Sequence, residues 1–119
     1  MAQDGIAKKV ELAWLAAFYG GLLTEKEREA LSLHCEEDMS LAEIAQATGV
    51  SRQGVHETLA RAAGKLTGME DKLHLADRFR RMEEGLLRCR EALHDGQTDE
   101  AGSILDALIR LEQEESNGL

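Results

Sequence analysis

Ser40-Leu-Ala-Glu-Ile-Ala-Gln-Ala-Thr-Gly-Val-Ser-Arg-Gln-Gly-Val-His56 is the stretch that decides the fold. Ser40 with Glu43 three residues on is a capping box, in which each side chain satisfies a backbone N–H that the first helical turn leaves orphaned. Leu41, Ile44 and Ala45 then recur at helical spacing, and Thr48-Gly49-Val50 breaks the helix. Ser51 is the next N-cap, and Val55, Leu59, Ala62 and Leu66 form a buried stripe behind it. Two helices set at an angle across so short a turn make specific demands. Ile44 must meet Val55, Ala45 must be small where the second helix crosses, Gly49 suits a left-handed turn position, and Val50 is expected to plug the corner. The face left over carries Ser51, Arg52, Gln53, His56, Arg61 and Lys65, the expected recognition surface of a helix-turn-helix.

Outward from this motif the chain remains helical. Toward the N-terminus, Thr24 and Glu27 form another capping box, ahead of Ala30, Leu31 and Cys35. Before it, Val10, Leu12, Ala13, Trp14, Ala17 and Phe18 predict a helix from about residue 7 to 19 that buries Trp14 and Phe18 and stops at Gly20-Gly21. Toward the C-terminus, Gly68 is expected to end or bend the motif's second helix. Beyond it Met69, Leu73, Ala76, Phe79, Met82, Leu86, Cys89 and Leu93 follow at steps of three or four, predicting one long helix. So long a stripe needs another helix along it, which assigns Phe79, Met82, Leu86 and Leu93 to packing against the last helix and a second copy of the chain. Gly96 and Thr98 then introduce a final helix over residues 99–114, with Ala101, Ile104, Leu105, Leu108 and Leu111 inward. The expected organisation is a helix-turn-helix domain over residues 1–68 and a dimerising helical arm over 69–119.

Composition agrees with an all-α fold: the 119 residues include no proline and only 3% aromatics. The formal net charge is −9, unevenly spread. Residues 40–66 hold three basic and two acidic side chains, whereas residues 96–119 hold one and six. The motif thus lacks the positive excess usual for a phosphate-backbone binder, so tight DNA binding would need a dimer or strong base contacts. That favours protein or structured RNA as partner ahead of DNA. Cys35 and Cys89 form no ligand pattern, which suits a reducing cytoplasmic setting. Leu12 to Leu23 is apolar but too short to span a bilayer, so no membrane insertion is expected.

The motif run, with Arg61, Ala62, Lys65 and Leu66 beyond it, resembles the region-four DNA-binding helices of bacterial sigma factors. Over nearly the whole chain, the stretch Trp14-Leu-Ala-Ala-Phe-Tyr-Gly-Gly-Leu-Leu-Thr-Glu-Lys-Glu, the motif, a long helix and an Ile-Leu-x-Ala-Leu-x-x-Leu ending resemble the YlxM-like family. That resemblance implies a sigma region-four-like helix-turn-helix bundle followed by a long helix and a C-terminal helix. It also implies a cytoplasmic regulatory or accessory protein that binds the signal recognition particle's protein, its RNA, or both. The alternative is a dimeric DNA-binding transcription regulator.

Arg78, Arg80, Arg81, Arg88 and Arg90 form the densest basic cluster, able on a helix to track a phosphate backbone or an acidic partner. Asp77, Glu83, Glu84 and Glu91 are spaced to pair with several of them at i,i+3 or i,i+4, which makes an ordinary charged face the simpler reading. No catalytic or metal-binding pattern emerges, and no cofactor is expected. The four histidines are scattered, adjacent His34 and Cys35 diverge by about 100° on a helix, and no glycine-rich phosphate loop occurs. Gly54 departs from the pattern, since glycine inside an exposed helix costs roughly 1 kcal/mol relative to alanine.

Overall fold

A computed structural model describes residues 2–117, with side chains described from residue 5 to 114. The described residues form six α-helices and no strand: α1 (Ala2–Tyr19), α2 (Glu25–Cys35), α3 (Leu41–Thr48), α4 (Arg52–Leu73), α5 (Leu75–His94) and α6 (Thr98–Asn117). A short 3-10 turn, Gly20–Leu22, follows α1 where the two adjacent glycines stop it. No described helix is long and apolar enough to cross a membrane.

The chain divides into two compact units, residues 1–76 and 77–119. The division falls beyond the expected boundary at residue 68 because α4 does not end at Gly68. It runs on to Leu73 and stops at His74, whose φ of 55° is left-handed and ends the i→i+4 ladder. The expected continuous stripe from Met69 to Leu93 is therefore split, with Met69 and Leu73 on α4 and the rest on α5.

The core of the first unit is built from Leu15, Tyr19, Leu23, Leu31, Ala62, Leu66 and Ala76, with Leu59 and Met69 packed against it. Helix α1 turns its buried side differently from the expectation. Leu15 and Tyr19 are buried, whereas Trp14 and Phe18 flank the core half-buried, their rings edge to face at 5.1 Å. Tyr19 has a polar reason to be inside. Its hydroxyl donates to Glu70 Oε1 at 2.6 Å and accepts from the Leu75 N–H at 3.0 Å, while the Ala76 N–H also donates to Glu70 Oε1 at 3.0 Å. Glu70 and Tyr19 thus supply the cap of α5, whose first N–H groups have no partner within their own helix. Burial, then the bond to the Glu70 carboxylate, raises the Tyr19 pKa above its usual value.

In the second unit, α5 and α6 meet through small side chains. Cys89, Ala92 and Ala101 are buried together, with Ile104 against them, and the Cys89 thiol lies 3.6 Å from the Ala101 carbonyl. Leu108 fills the notch above Gly85: a Cβ there would stand 2.5 Å from Leu108 Cδ2. Of the residues expected inward on α6, Ala101 and Leu108 are buried, Ile104 and Leu111 are half-buried, and Leu105 is exposed. Both cysteines are free thiols.

Candidate functional site

The α3–turn–α4 motif is held by local bonds that its sequence dictates. Ser40 Oγ accepts from the Glu43 N–H at 3.1 Å, and Glu43 Oε1 accepts from the Ser40 N–H at 3.0 Å. The bond from the Ser40 backbone N–H, followed by the Ser40 side chain, holds the Glu43 carboxyl below its ordinary pKa. At the other end Thr48 Oγ1 donates to the Ile44 carbonyl at 2.7 Å, and Gly49 takes φ 75°, ψ 8°, a conformation costly to any residue with a Cβ. Ser51 Oγ then accepts from the Gly54 N–H at 3.0 Å and starts α4. Ile44 and Val55 are buried where the helices cross.

Val50 does not plug the corner: it is 42% exposed. Its side chain instead covers the first turn of α4, and this accounts for Gly54. A Cβ at position 54 would stand 2.8 Å from Val50 Cγ1 and 3.1 Å from Ser51 Oγ, so the glycine makes room for the turn that caps its own helix.

Arg52, Gln53, His56 and Glu57 are exposed on the first two turns of α4, with Gln53 Nε2 3.4 Å from Glu57 Oε1. Ser51 is exposed too, but its oxygen is engaged as the cap. Arg61 and Lys65 lie further along the helix, and both turn toward Glu27 of α2. Lys65 Nζ is 2.8 Å from Glu27 Oε1, and Arg61 Nε is 3.9 Å from Glu27 Oε2. Glu27 is buried, 3% exposed, and the same Oε1 accepts from the Thr24 N–H at 2.8 Å. The bond from Lys65, followed by that from the Thr24 backbone, lowers its pKa to about 2. Lys65 therefore ties α4 to α2, joined by the weaker Arg61 contact. Arg52 is left as the motif cation with no carboxylate partner among the described residues.

The five arginines of α5 do not form one surface. Successive residues turn by about 100°, which sets Arg88 and Arg90 on nearly opposite sides of the helix. Arg78 binds Glu112 of α6, and Arg81 Nε binds Asp77 Oδ2 at 3.1 Å, the i,i+4 pairing that the sequence suggested. Arg78, Arg80 and Arg81 are half-buried, while Arg88 and Arg90 are exposed.

Two contacts of this region escaped sequence reasoning. The capping box suggested Glu27 as a backbone partner but gave no sign that Lys65, 38 residues on, would claim the same carboxylate. Lys9 Nζ is 2.5 Å from Asp38 Oδ1, pinning the turn before α3 to α1 and lowering the Asp38 pKa. Asp38 sits at φ 54° in the acidic run Glu36-Glu37-Asp38, where no local pattern pairs it with α1. Among the described residues no group of three or more His, Cys, Asp or Glu side chains is placed to hold a metal ion.

The family described as "UPF0122: Putative helix-turn-helix protein, YlxM / p13 like" matches residues 6–103. A "UPF0122 protein" of Bacillus pumilus is 36% identical over 108 residues, covering 90% of this chain and 98% of that protein. One from Halalkalibacterium halodurans is 38% identical over 106 residues, covering 88% and 97%. Another, from Desulforamulus reducens, is 40% identical over 89 residues, covering 75% and 76%.

Proposed function

The chain belongs to the YlxM/p13-like family of helix-turn-helix proteins, and from that premise we propose that it is a non-enzymatic regulatory protein that reads duplex DNA with the first two turns of α4. The observation that carries this reading is the contrast between the two sides of that helix. Val55, Ala62 and Leu66 are consumed by the core, whereas Arg52, Gln53 and His56 stand exposed where a groove would meet them. A face built to dock a protein has an apolar centre ringed by polar groups. Hydrogen-bonding side chains fill this one instead, and arginine and glutamine are the types that pair bidentately with guanine and adenine edges in a major groove. The deep, narrow major groove of A-form RNA does not admit such a helix.

Charge sets the character of the binding. With Arg61 and Lys65 directed at Glu27, little counterion release is available from the motif. Affinity then falls only weakly with salt, with a log–log slope of about −1 per recognition helix if Arg52 alone meets a phosphate. Selection from random duplexes at low salt is the test. An enriched sequence supports the reading, and recovery of none contradicts it.

The same charge favours a second reading, in which the cytoplasmic partner is the signal recognition particle's protein or RNA, as the family resemblance implies. A net charge of −9 opposes non-specific association with nucleic acid and suits a basic protein surface, which within this reading supports the particle's protein ahead of its RNA. Calorimetric titration against each particle component separates the two readings. Saturable binding to the protein or RNA, with no duplex sequence selected, would replace the first with the second.

A further inference from the structure

We propose that the second unit is a dimerisation module in which one apolar side of the α5–α6 hairpin packs against the same side of a second copy of this chain. The arrangement of its side chains is inverted relative to an ordinary helical pair. Between the helices lie Gly85, Cys89, Ala92 and Ala101, with Leu108 buried and Ile104 half-buried against them. Outside lie Phe79, Leu86, Leu93, Leu105 and Ile109, exposed by 40% at Leu105 to 55% at Ile109. A hairpin with its small residues inside and its large ones in water buries little apolar surface of its own, and a second surface laid over the large ones would add to it.

These large residues share one side. On α5, steps of about 100° place Phe79, Leu86 and Leu93 roughly a quarter-turn from the side that meets α6. On α6, running the other way, the same construction puts Leu105 and Ile109 a quarter-turn in the matching direction. The opposite side of the hairpin is charged, with Glu84, Arg88 and Glu91 on α5.

Two features choose a second copy as the occupant. Five large side chains, each about half exposed, offer roughly 500 Å² per chain, or about 1,000 Å² for a symmetric pair before any polar rim is counted, which reaches the size of a specific interface. The helices also differ in charge: α5 carries five basic and four acidic side chains, α6 one and six. A two-fold pairing that sets α5 of one copy against α6 of the other therefore joins opposite signs, and an isologous interface makes that contact twice.

The test is the mass of the 119-residue chain by light scattering and sedimentation equilibrium at high micromolar concentration. The expected result is twice the 13.1 kDa chain mass. Leu86→Glu with Ile109→Glu yields monomer, Leu86→Ala weakens association at least about tenfold while preserving a helix-forming residue, and Arg88→Glu on the charged side leaves the dimer unchanged. A wild-type monomer, or a dimer that Arg88→Glu disrupts as much as Leu86→Ala does, overturns the proposal. The outcome does not depend on any nucleic acid, so it stands or falls separately from the proposed recognition by α4.

Discussion

Residues 5–76 and residues 77–114 are both amphipathic helices, yet they dispose of their apolar side chains in opposite ways. In the first unit Leu15, Leu23, Leu31 and Leu66 are buried, and its helices are fixed by capping boxes at Thr24 and Ser40, the Ser51 cap and the Glu27–Lys65 bridge. In the second unit the leucines at 86, 87, 93 and 105 are outside. The difference teaches that helical spacing shows which residues share a face but not which side of a hairpin that face meets. The first unit buries a leucine core and leaves a polar face on the first turns of α4, its most exposed apolar residues Ile6, Val10 and Leu22 lying on α1 and the turn after it. The second keeps most of its large apolar side chains outside, the face proposed above to pair with a second copy.

The sharpest way to break this contrast is to delete the same side chain in each unit. Leu66→Ala opens a cavity in the first core and is expected to cost about 2–5 kcal/mol in urea unfolding. At sub-micromolar concentration, where association is minimal, Leu86→Ala should change stability by no more than about 0.5 kcal/mol. Similar costs at the two sites would mean that the second unit buries its leucines after all.

A smaller effect tests what joins α2 to α4. The Glu27 carboxyl is held at about 2 in the folded protein, against an ordinary 4.5. Because the folded-state pKa is depressed, its contribution is fully present above about pH 4.5. It fades as pH falls toward 2. Glu27→Gln should therefore destabilise the protein at pH 7, and the gap between variant and wild-type urea midpoints should close over that acid window. A gap independent of pH between 7 and 2 would show that the Lys65 bridge is not its source.

Smaller still is the Ser51 cap. Ser51→Ala should cost about 1 kcal/mol by removing the acceptor for the Gly54 N–H. A destabilisation of that size, with unchanged helix content, would place the cap's role at the start of α4 alone.

Much of the first unit was legible in the sequence because its signals are local. Each capping box spans four residues, and the left-handed turn at Gly49 was signalled by the glycine itself. The rest depends on distant partners. Gly68 read as a helix end because glycine is a poor helix former, but packing of Leu66 and Met69 carries α4 past it. The stop at His74 has no sequence signature, since Tyr19 and Glu70 supply the next helix's cap from elsewhere. Helical spacing puts Trp14 and Phe18 inside, whereas the Tyr19 hydroxyl, bonded to Glu70 and the Leu75 N–H, goes with the side of α1 that faces the core. At the candidate site the exposed positions 52, 53 and 56 followed from the period of α4. The engagement of Lys65 by Glu27 did not, because no local pattern records a contact across 38 residues.

The central claim, that recognition belongs to the first unit and association to the second, is tested most directly by measuring the affinity of Arg52→Ala and Arg90→Ala for a duplex selected by the wild type, in parallel and at one salt concentration. Loss of a base contact costs about 1–3 kcal/mol, or roughly 5- to 150-fold in affinity. A loss in that range is expected for Arg52→Ala, with no more than about a twofold change for Arg90→Ala. Equal losses, or a larger loss at Arg90, would contradict the assignment.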